Sequence, residues 1–216
     1  MRLQRTRIKM CGTTRLKDAE FAVSLGIDAL GFIFAEKSPR YVSRERAGSI
    51  IKMLPPFITS VGVFVNSSIE EIQDSIKICG LTQVQLHGSE SPEFCGELKS
   101  WNKSCSICKA FRIGQGNIPV AINSYSPMID SILLDSHVKG VEGGTGETFD
   151  WQLVHSLKLD RPLILAGGLN PDNVCAAISA VSPYAIDINS GVEEAPGIKD
   201  HHLIRTLVQR VRAGEA

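Results

Sequence analysis

Short apolar, β-branched runs alternate with amphipathic stretches from one end of the chain to the other. The runs predict strands at Arg7–Cys11, Ala29–Phe34, Ser60–Val65, Gln83–His87, Ser106–Phe111, Ser131–Leu134, Pro162–Ala166 and Ala185–Ile188. Between them, apolar residues recur at helical spacing. Leu16, Ala19, Ala22 and Val23 make one such face, and Gly26 stands where a helix would stop. Further helices are predicted near Arg44–Met53, Ile69–Cys79, Pro92–Lys99, Trp151–Leu157, Asp172–Val181 and His202–Arg212, with a weak, short one around Ile118–Tyr125.

Strands that alternate with helices imply a parallel sheet joined by helical crossovers. A closed barrel and an open doubly wound sheet both satisfy that order. Eight such repeats in 216 residues favour closure, and no Gly-x-Gly-x-x-Gly follows the first strand to argue for a dinucleotide fold. The expectation is therefore an α/β protein, a (β/α)8 TIM barrel forming a single domain over residues 1–216.

Composition narrows the function classes. Lys plus Arg and Asp plus Glu both number 23, so the formal charge is zero. Such a chain has no overall field to draw nucleic acid or an anionic membrane, and any anion site must be built locally. No apolar run approaches the roughly 18 residues of a membrane span. The opening MRLQRTRIKMCG passes straight into a strand-like run without a signal-peptide apolar stretch, so a cytoplasmic location is expected. Six scattered cysteines need not form a disulfide framework in a chain of this length. Cys105 and Cys108 form a CxxC with no second pair or histidine cluster to complete a metal site, and no metal is expected.

In a parallel barrel, chemistry collects at the carboxyl ends of the strands. Those ends carry Cys11, the loop Lys37-Ser38-Pro39-Arg40, Asn66, His87, Arg112, Asp135, Gly167-Gly168 and Asn189-Ser190-Gly191. Each has a bland reading. Cys11 could be inert core, Asp135 a turn residue, Arg40 a solvated loop charge and His87 a satisfied barrel histidine that shares a face with Gln85. Asp187 lies between Ile186 and Ile188, hence on the face opposite both. A carboxylate inside a strand needs a partner or water, which points it into the barrel mouth. The glycines at 143, 144, 146, 167, 168 and 191 fall in successive loops, where backbone N–H groups can approach an anion without a Cβ in the way. Their position favours a phosphate site over simple turns.

The segments KMCGTT (9–14), ALGFIFAEKSPRYVS (29–43), VGVFVN (61–66), VQLHGSE (84–90), ILLDS (132–136), GGTGETFDW (143–151), LILAGGLNPDNV (163–174) and AIDINSGVEEAPGIKD (185–200) resemble, in order, the signatures of the phosphoribosylanthranilate isomerases of tryptophan biosynthesis. Met10, Thr13 and Asn189 depart from the usual residues of those signatures. The resemblance implies an Amadori rearrangement of N-(5-phosphoribosyl)anthranilate with no cofactor. It implies Cys11 as general base, Asp135 as general acid and Arg40 facing the anthranilate carboxylate. His87 and Asp187 would be further polar residues of the substrate site. Gly144, Gly167, Gly168, Asn189, Ser190 and Gly191 would hold the phosphate. The partner would be this small-molecule substrate, with the barrel a monomer or a homodimer. These roles need an ionised Cys11 beside a neutral Asp135, against reference pKa values of about 8.5 and 3.9. A helix starting at Thr13 or Thr14 is expected to help ionise Cys11. The alternatives are the histidine-pathway isomerase that performs the same rearrangement, and a non-catalytic barrel that binds a phosphorylated metabolite.

Overall fold

A computed structural model of the chain describes residues 5–113, 122–135, 154, 157 and 159–214. Eight strands run β1 (Arg7–Met10), β2 (Ala29–Ile33), β3 (Thr59–Phe64), β4 (Gln83–Leu86), β5 (Ser106–Arg112), β6 (Ser131–Asp135), β7 (Leu163–Ala166) and β8 (Ala185–Ile188). Each pairs in parallel with the next, and β8 pairs back onto β1 with Lys9 opposite Asp187. The open-sheet alternative is thereby excluded.

The strand ends shift by one residue at several predicted boundaries, and the shift matters for the site. Cys11 and His87 fall just beyond β1 and β4. Each still donates one ladder bond, Cys11 N–H to the Ile188 carbonyl at 2.8 Å and His87 N–H to the Phe64 carbonyl at 2.8 Å. Their backbones are therefore held by the barrel while their side chains stand in its mouth.

Among the described residues, helices α1 (Leu16–Ser24), α2 (Arg44–Ile51), α3 (Ile69–Cys79), α4 (Pro92–Trp101), α5 (Val174–Val181) and α6 (His201–Ala213) surround the ring. Several begin on a side-chain cap. Ser43, Ser68 and Ser91 each accept an N–H of the first turn, and Glu71 closes a capping box on Ser68. Asp200 accepts from both His202 and Leu203 N–H groups. Helices as short as the 8 residues of α2 are not stable alone, so packing on the barrel holds them.

Three boundaries depart from expectation. α1 starts at Leu16, with Arg15 as its N-cap, rather than at Thr13 or Thr14. Both threonines are engaged elsewhere: Thr13 N–H donates to the Gly31 carbonyl at 2.9 Å, and Thr14 Oγ1 donates to the Gly197 carbonyl. α5 starts at Val174 rather than Asp172, because the Asn170 side chain holds the Asp172 and Asn173 N–H groups in a preceding turn. The weak fifth helix is a 3-10 turn over Ile122–Tyr125 where it is described. Of the helix expected at Trp151–Leu157, only Val154 and Leu157 are described, and both pack into the core. The glycines at 143, 144 and 146 lie outside the described residues.

The alternation of each strand divides the core in two. Outward residues such as Ile8, Met10, Leu30, Phe32 and Ile186 pack under the helices. Inside the ring lie Cys108, Ala110, Leu133, Ile164, Ala166 and Ala185, and above them Cys11, Ile33 and Val63. The inner residues are mostly small, which leaves space toward the mouth. All six cysteines are free, with Cys105 packed outside the ring and Cys108 within it. Among the described residues no helix is long and apolar enough to cross a membrane.

Candidate functional site

The mouth at the carboxyl ends of the strands holds a cavity of about 200 Å³. Cys11, Gln85, His87, Asp135, Gly167, Gly168, Asp187, Asn189, Ser190 and Gly191 line it. Of the site residues expected from sequence, all in the described part except Arg40 thus meet on one surface. They come from β1, β4, β6, β7 and β8, so neither chain proximity nor a single loop explains the gathering.

Asp135 closes β6, and its Oδ2 lies 3.3 Å from His87 Nε2. On the other side of the ring, His87 Nδ1 is 3.1 Å from Gln85 Nε2. An amide nitrogen can only donate, so a neutral imidazole accepts at Nδ1 and carries its proton on Nε2, toward Asp135. The common face of Gln85 and His87 read from alternation is what makes this chain of contacts possible.

Asp187 does point into the ring, as its place between two isoleucines required. Its Oδ2 takes a 2.7 Å contact from Lys9 Nζ, both groups being buried. Its Oδ1 is buried with no hydrogen-bond partner among the described residues, as is Gln85 Oε1 on the same cavity. Buried acceptors left open in this way are ready to receive the hydroxyls of a ligand.

Cys11 is 5% exposed. Burial pushes its thiol pKa up, opposed by the ammonium groups of Lys9 and Lys199 and reinforced by Asp187. The expected aid from a helix start beside Cys11 is corrected here, because α1 begins five residues later with no capping side chain. The local cations take that role. Lys9 itself feels burial first, yet Asp187 and Cys11 outweigh it and hold its pKa above the ordinary value. Burial likewise raises the Asp187 carboxyl, with Lys9 working against the rise.

Arg40 stands at the rim. Its Cδ and the Asn189 Oδ1 both crowd Gly12, where an added Cβ would come within 2.9 Å of each. Its Nε and Nη2 grip Glu193 at 2.7 to 3.0 Å. Lys199 Nζ reaches the same carboxylate at 2.9 Å and Asn189 Oδ1 at 3.0 Å. Burial would raise the Glu193 carboxyl, but its bonds to Arg40 and Lys199 prevail and hold it low. Glu193 and Lys199 sit on a small antiparallel hairpin, β9 (Glu193–Ala195) and β10 (Ile198–Lys199), that follows β8.

The two glycine segments face the cavity from β7 and β8. Gly167 and Gly168 have φ of 96° and 62°, a backbone that glycine adopts without strain. Gly191 lies in a 3-10 turn over Ser190–Val192, packed so closely that a Cβ would fall on the Leu169 carbonyl. Gly144 cannot be placed, being outside the described residues. Among the described residues no group of three or more His, Cys, Asp or Glu could hold a metal ion.

Lys9, Gln85, Glu193 and Lys199 were not among the residues singled out for a role from sequence. Lys9 had a signal: it is a charge between Ile8 and Met10, on the same face as Cys11.

A family model described as N-(5'phosphoribosyl)anthranilate (PRA) isomerase matches residues 8–210. The chain belongs to the PRA isomerase family. A curated relative from Citrifermentans bemidjiense, an N-(5'-phosphoribosyl)anthranilate isomerase, is 44% identical over 96% of this chain and 97% of its own. A crystal structure of a PRA isomerase in complex with reduced 1-(o-carboxyphenylamino)-1-deoxyribulose 5-phosphate superposes with a TM-score of 0.85 at 40% identity, covering 96% of this chain and 99% of that one. A second, of monomers generated from the dimeric isomerase of Thermotoga maritima, gives 0.82 at 38% identity over 96% and 98%. The reaction that the sequence resemblance implied, an isomerisation within tryptophan biosynthesis, is the reaction of this PRA isomerase family.

Proposed function

We propose that this chain converts N-(5-phosphoribosyl)anthranilate to 1-(2-carboxyphenylamino)-1-deoxyribulose 5-phosphate, with Asp135 as general acid and Cys11 as general base. The observation that carries the reading is that both groups line one cavity with the glycine segments of β7 and β8. The substrate's furanose must open first. Asp135 donates its proton to the ring oxygen as the bond from that oxygen to the first sugar carbon breaks, leaving a protonated Schiff base. The Cys11 thiolate then removes the proton of the second sugar carbon; the freed pair forms the double bond between the first and second sugar carbons, and the carbon–nitrogen π pair returns to nitrogen. The resulting enol-amine tautomerises to the ketone. Acid and base each typically contribute about 10²–10⁴-fold. The cationic Schiff base is itself the electron sink, so the reading calls for no cofactor.

The remaining residues orient the sugar between these two groups. In this reading Gly167, Gly168, Asn189, Ser190 and Gly191 hold the phosphate through backbone N–H groups, and Gly144 belongs to the same cup. His87 aims Asp135, and the open Oδ1 of Asp187 takes a sugar hydroxyl. Arg40 meets the anthranilate carboxylate at the rim: a guanidinium has five donors, more than Glu193 engages.

Phosphoribosylanthranilate generated in the cuvette and followed by loss of its fluorescence tests the whole reading. Turnover by the purified chain supports it. Binding without turnover would make the chain a phosphometabolite-binding barrel. Turnover of only the two-phosphate histidine-pathway substrate would make it the sibling isomerase.

A second copy is the proposed protein partner. The Thermotoga maritima relative is described as dimeric. Here Phe57 is wholly exposed at a φ of 74°, and Met53 is 63% exposed, both in the α2–β3 connection and so at the end of the barrel opposite the site. Phe57→Asp should then turn a dimer in sedimentation into a monomer. A wild-type chain that sediments as a monomer at micromolar concentration ends this assignment.

A further inference from the structure

Lys9 and Cys11 are two residues apart on β1 and its extension, so both side chains enter the barrel. They meet over Gly31 of β2. A Cβ built at Gly31 would lie 2.9 Å from Cys11 Sγ and 3.1 Å from Lys9 Nζ, so the missing methyl is the space in which the two groups come together. Lys9 Nζ also bonds Asp187 Oδ2 at 2.7 Å, directly across the β1–β8 ladder. One ammonium therefore stands between a carboxylate and a thiol, all three buried. Nothing in the fold requires it, since a buried ion pair is often no more stable than an apolar replacement of the same volume.

We infer that Lys9 is a positioning residue that brings the thiolate of Cys11 within reach at its buried site, with Gly31 providing the gap and Asp187 tempering the charge. The inference rests on the reading of Cys11 as base. The thiolate of a deeply buried cysteine is otherwise disfavoured, and the groups that bear on it are few. Lys9 acts from its own strand, Asp187 from β8 and Lys199 from β10. Lys199 is partly neutralised by Glu193 at 2.9 Å. Lys9 has Asp187 as its counter-ion, and His87 and Asp135 bear on Asp187 from β4 and β6. Cys108 of β5 faces Lys9 from below. Of all these, Lys9 is the cation that acts most strongly on Cys11, and it shares with Cys11 the space over Gly31.

The sign of each substitution follows. Removing Lys9 makes the thiolate harder to form. Removing the charge of Asp187 makes it easier, because the ammonium then serves Cys11 alone. A purely structural role would move both variants the same way.

The experiment is the pH profile of Cys11 alkylation by iodoacetamide, read by mass spectrometry of the peptide that contains it. Lys9→Met should raise the midpoint by about one pH unit or more, a tenfold loss of thiolate at any pH below both midpoints. Asp187→Asn should lower it. Lys9→Met combined with Asp187→Asn buries no lone charge and so guards against a folding failure of the single variant. Its midpoint should still lie above wild type, because Lys9 acts on Cys11 more strongly than Asp187 does. A double-variant midpoint equal to wild type, or a rise in Asp187→Asn, overturns the inference. Alkylation needs no sugar substrate, so its outcome is separable from the isomerase assay. Shifted midpoints in a chain that fails to turn over phosphoribosylanthranilate would leave Lys9 in place and remove the proposed reaction. Turnover with unmoved midpoints would do the reverse.

Discussion

The imidazole Nε2 of His87 sits 3.3 Å from the Asp135 carboxylate, reaching across from the end of β4 to the end of β6. Gln85, on the same face of β4, fixes which nitrogen of the ring faces that carboxylate. His87→Ala should therefore lower kcat by about 10–100-fold through misplacement of the acid, with a smaller change in KM. Gln85→Leu should produce a weaker version of the same loss. Steady-state kinetics of the two variants check this. A His87→Ala enzyme altered only in KM would make the histidine a binding group instead.

Cys11→Ala should reduce kcat/KM by about 10²–10⁴-fold, the usual contribution of a general base. Cys11→Asp should retain more activity than Cys11→Ala, because a carboxylate is already ionised at neutral pH and can still accept the carbon-bound proton. Both variants should be compared at matched pH, with folding confirmed by circular dichroism. An alanine variant as active as wild type removes Cys11 from the chemistry.

Gly168 and Gly191 predict opposite kinds of damage. Gly168 has a φ of 62° with no described residue within 4 Å of its Cβ position, so Gly168→Ala should cost about 1–2 kcal/mol of stability through backbone strain. At Gly191 an added methyl would strike the Leu169 carbonyl and come within 2.9 Å of Asn170 Cβ, pushing the two loops apart. Gly191→Ala should raise KM by about tenfold or more, the equivalent of one lost hydrogen bond to a charged group. Thermal melts and KM for each variant separate the two effects. A wild-type KM in Gly191→Ala would exclude these loops from the phosphate site.

Alkaline stability follows from the buried thiols. Burial pushes the Cys95, Cys105 and Cys108 thiols above the usual thiol range, up to about 11. The folded chain thus keeps these protons in a range where the unfolded chain releases them. Stability is full below the unfolded value and is lost as pH climbs through the window between about 9 and 11. Melting temperatures taken across that window should fall, and replacing the three cysteines by alanine should flatten the slope whatever it does to the starting value. An equal slope in both chains would assign the alkaline loss to other groups.

Much of this was legible along the chain, and what was not has a common cause. β8 reads Ala-Ile-Asp-Ile, and the carboxylate between two isoleucines announced both the strand and the inward direction of Asp187. Lys9 presents the same pattern between Ile8 and Met10, yet its meaning depends on a partner 178 residues away. Glu193 and Lys199 escaped notice because their strands have only 3 and 2 residues, too short for any alternation to show. Thr13 and Thr14 looked like helix starters because local preference favours them there. Tertiary hydrogen bonds to Gly31 and Gly197 took them instead.

The closure of β8 onto β1 has a kinetic consequence. Lys9 and Cys11 arrive with the first strand and Asp187 with the last, so the working thiol environment spans the seam of the ring. Contacts between segments this distant in sequence form slowly, since the loop entropy must be lost before the pairing returns any stability. A chain that has assembled its first seven strands still exposes two unpaired edges and lacks the counter-ion of Lys9. During refolding, helical signal should therefore recover ahead of the protection of Cys11 from alkylation, which makes that thiol a reporter of the moment at which the seam shuts.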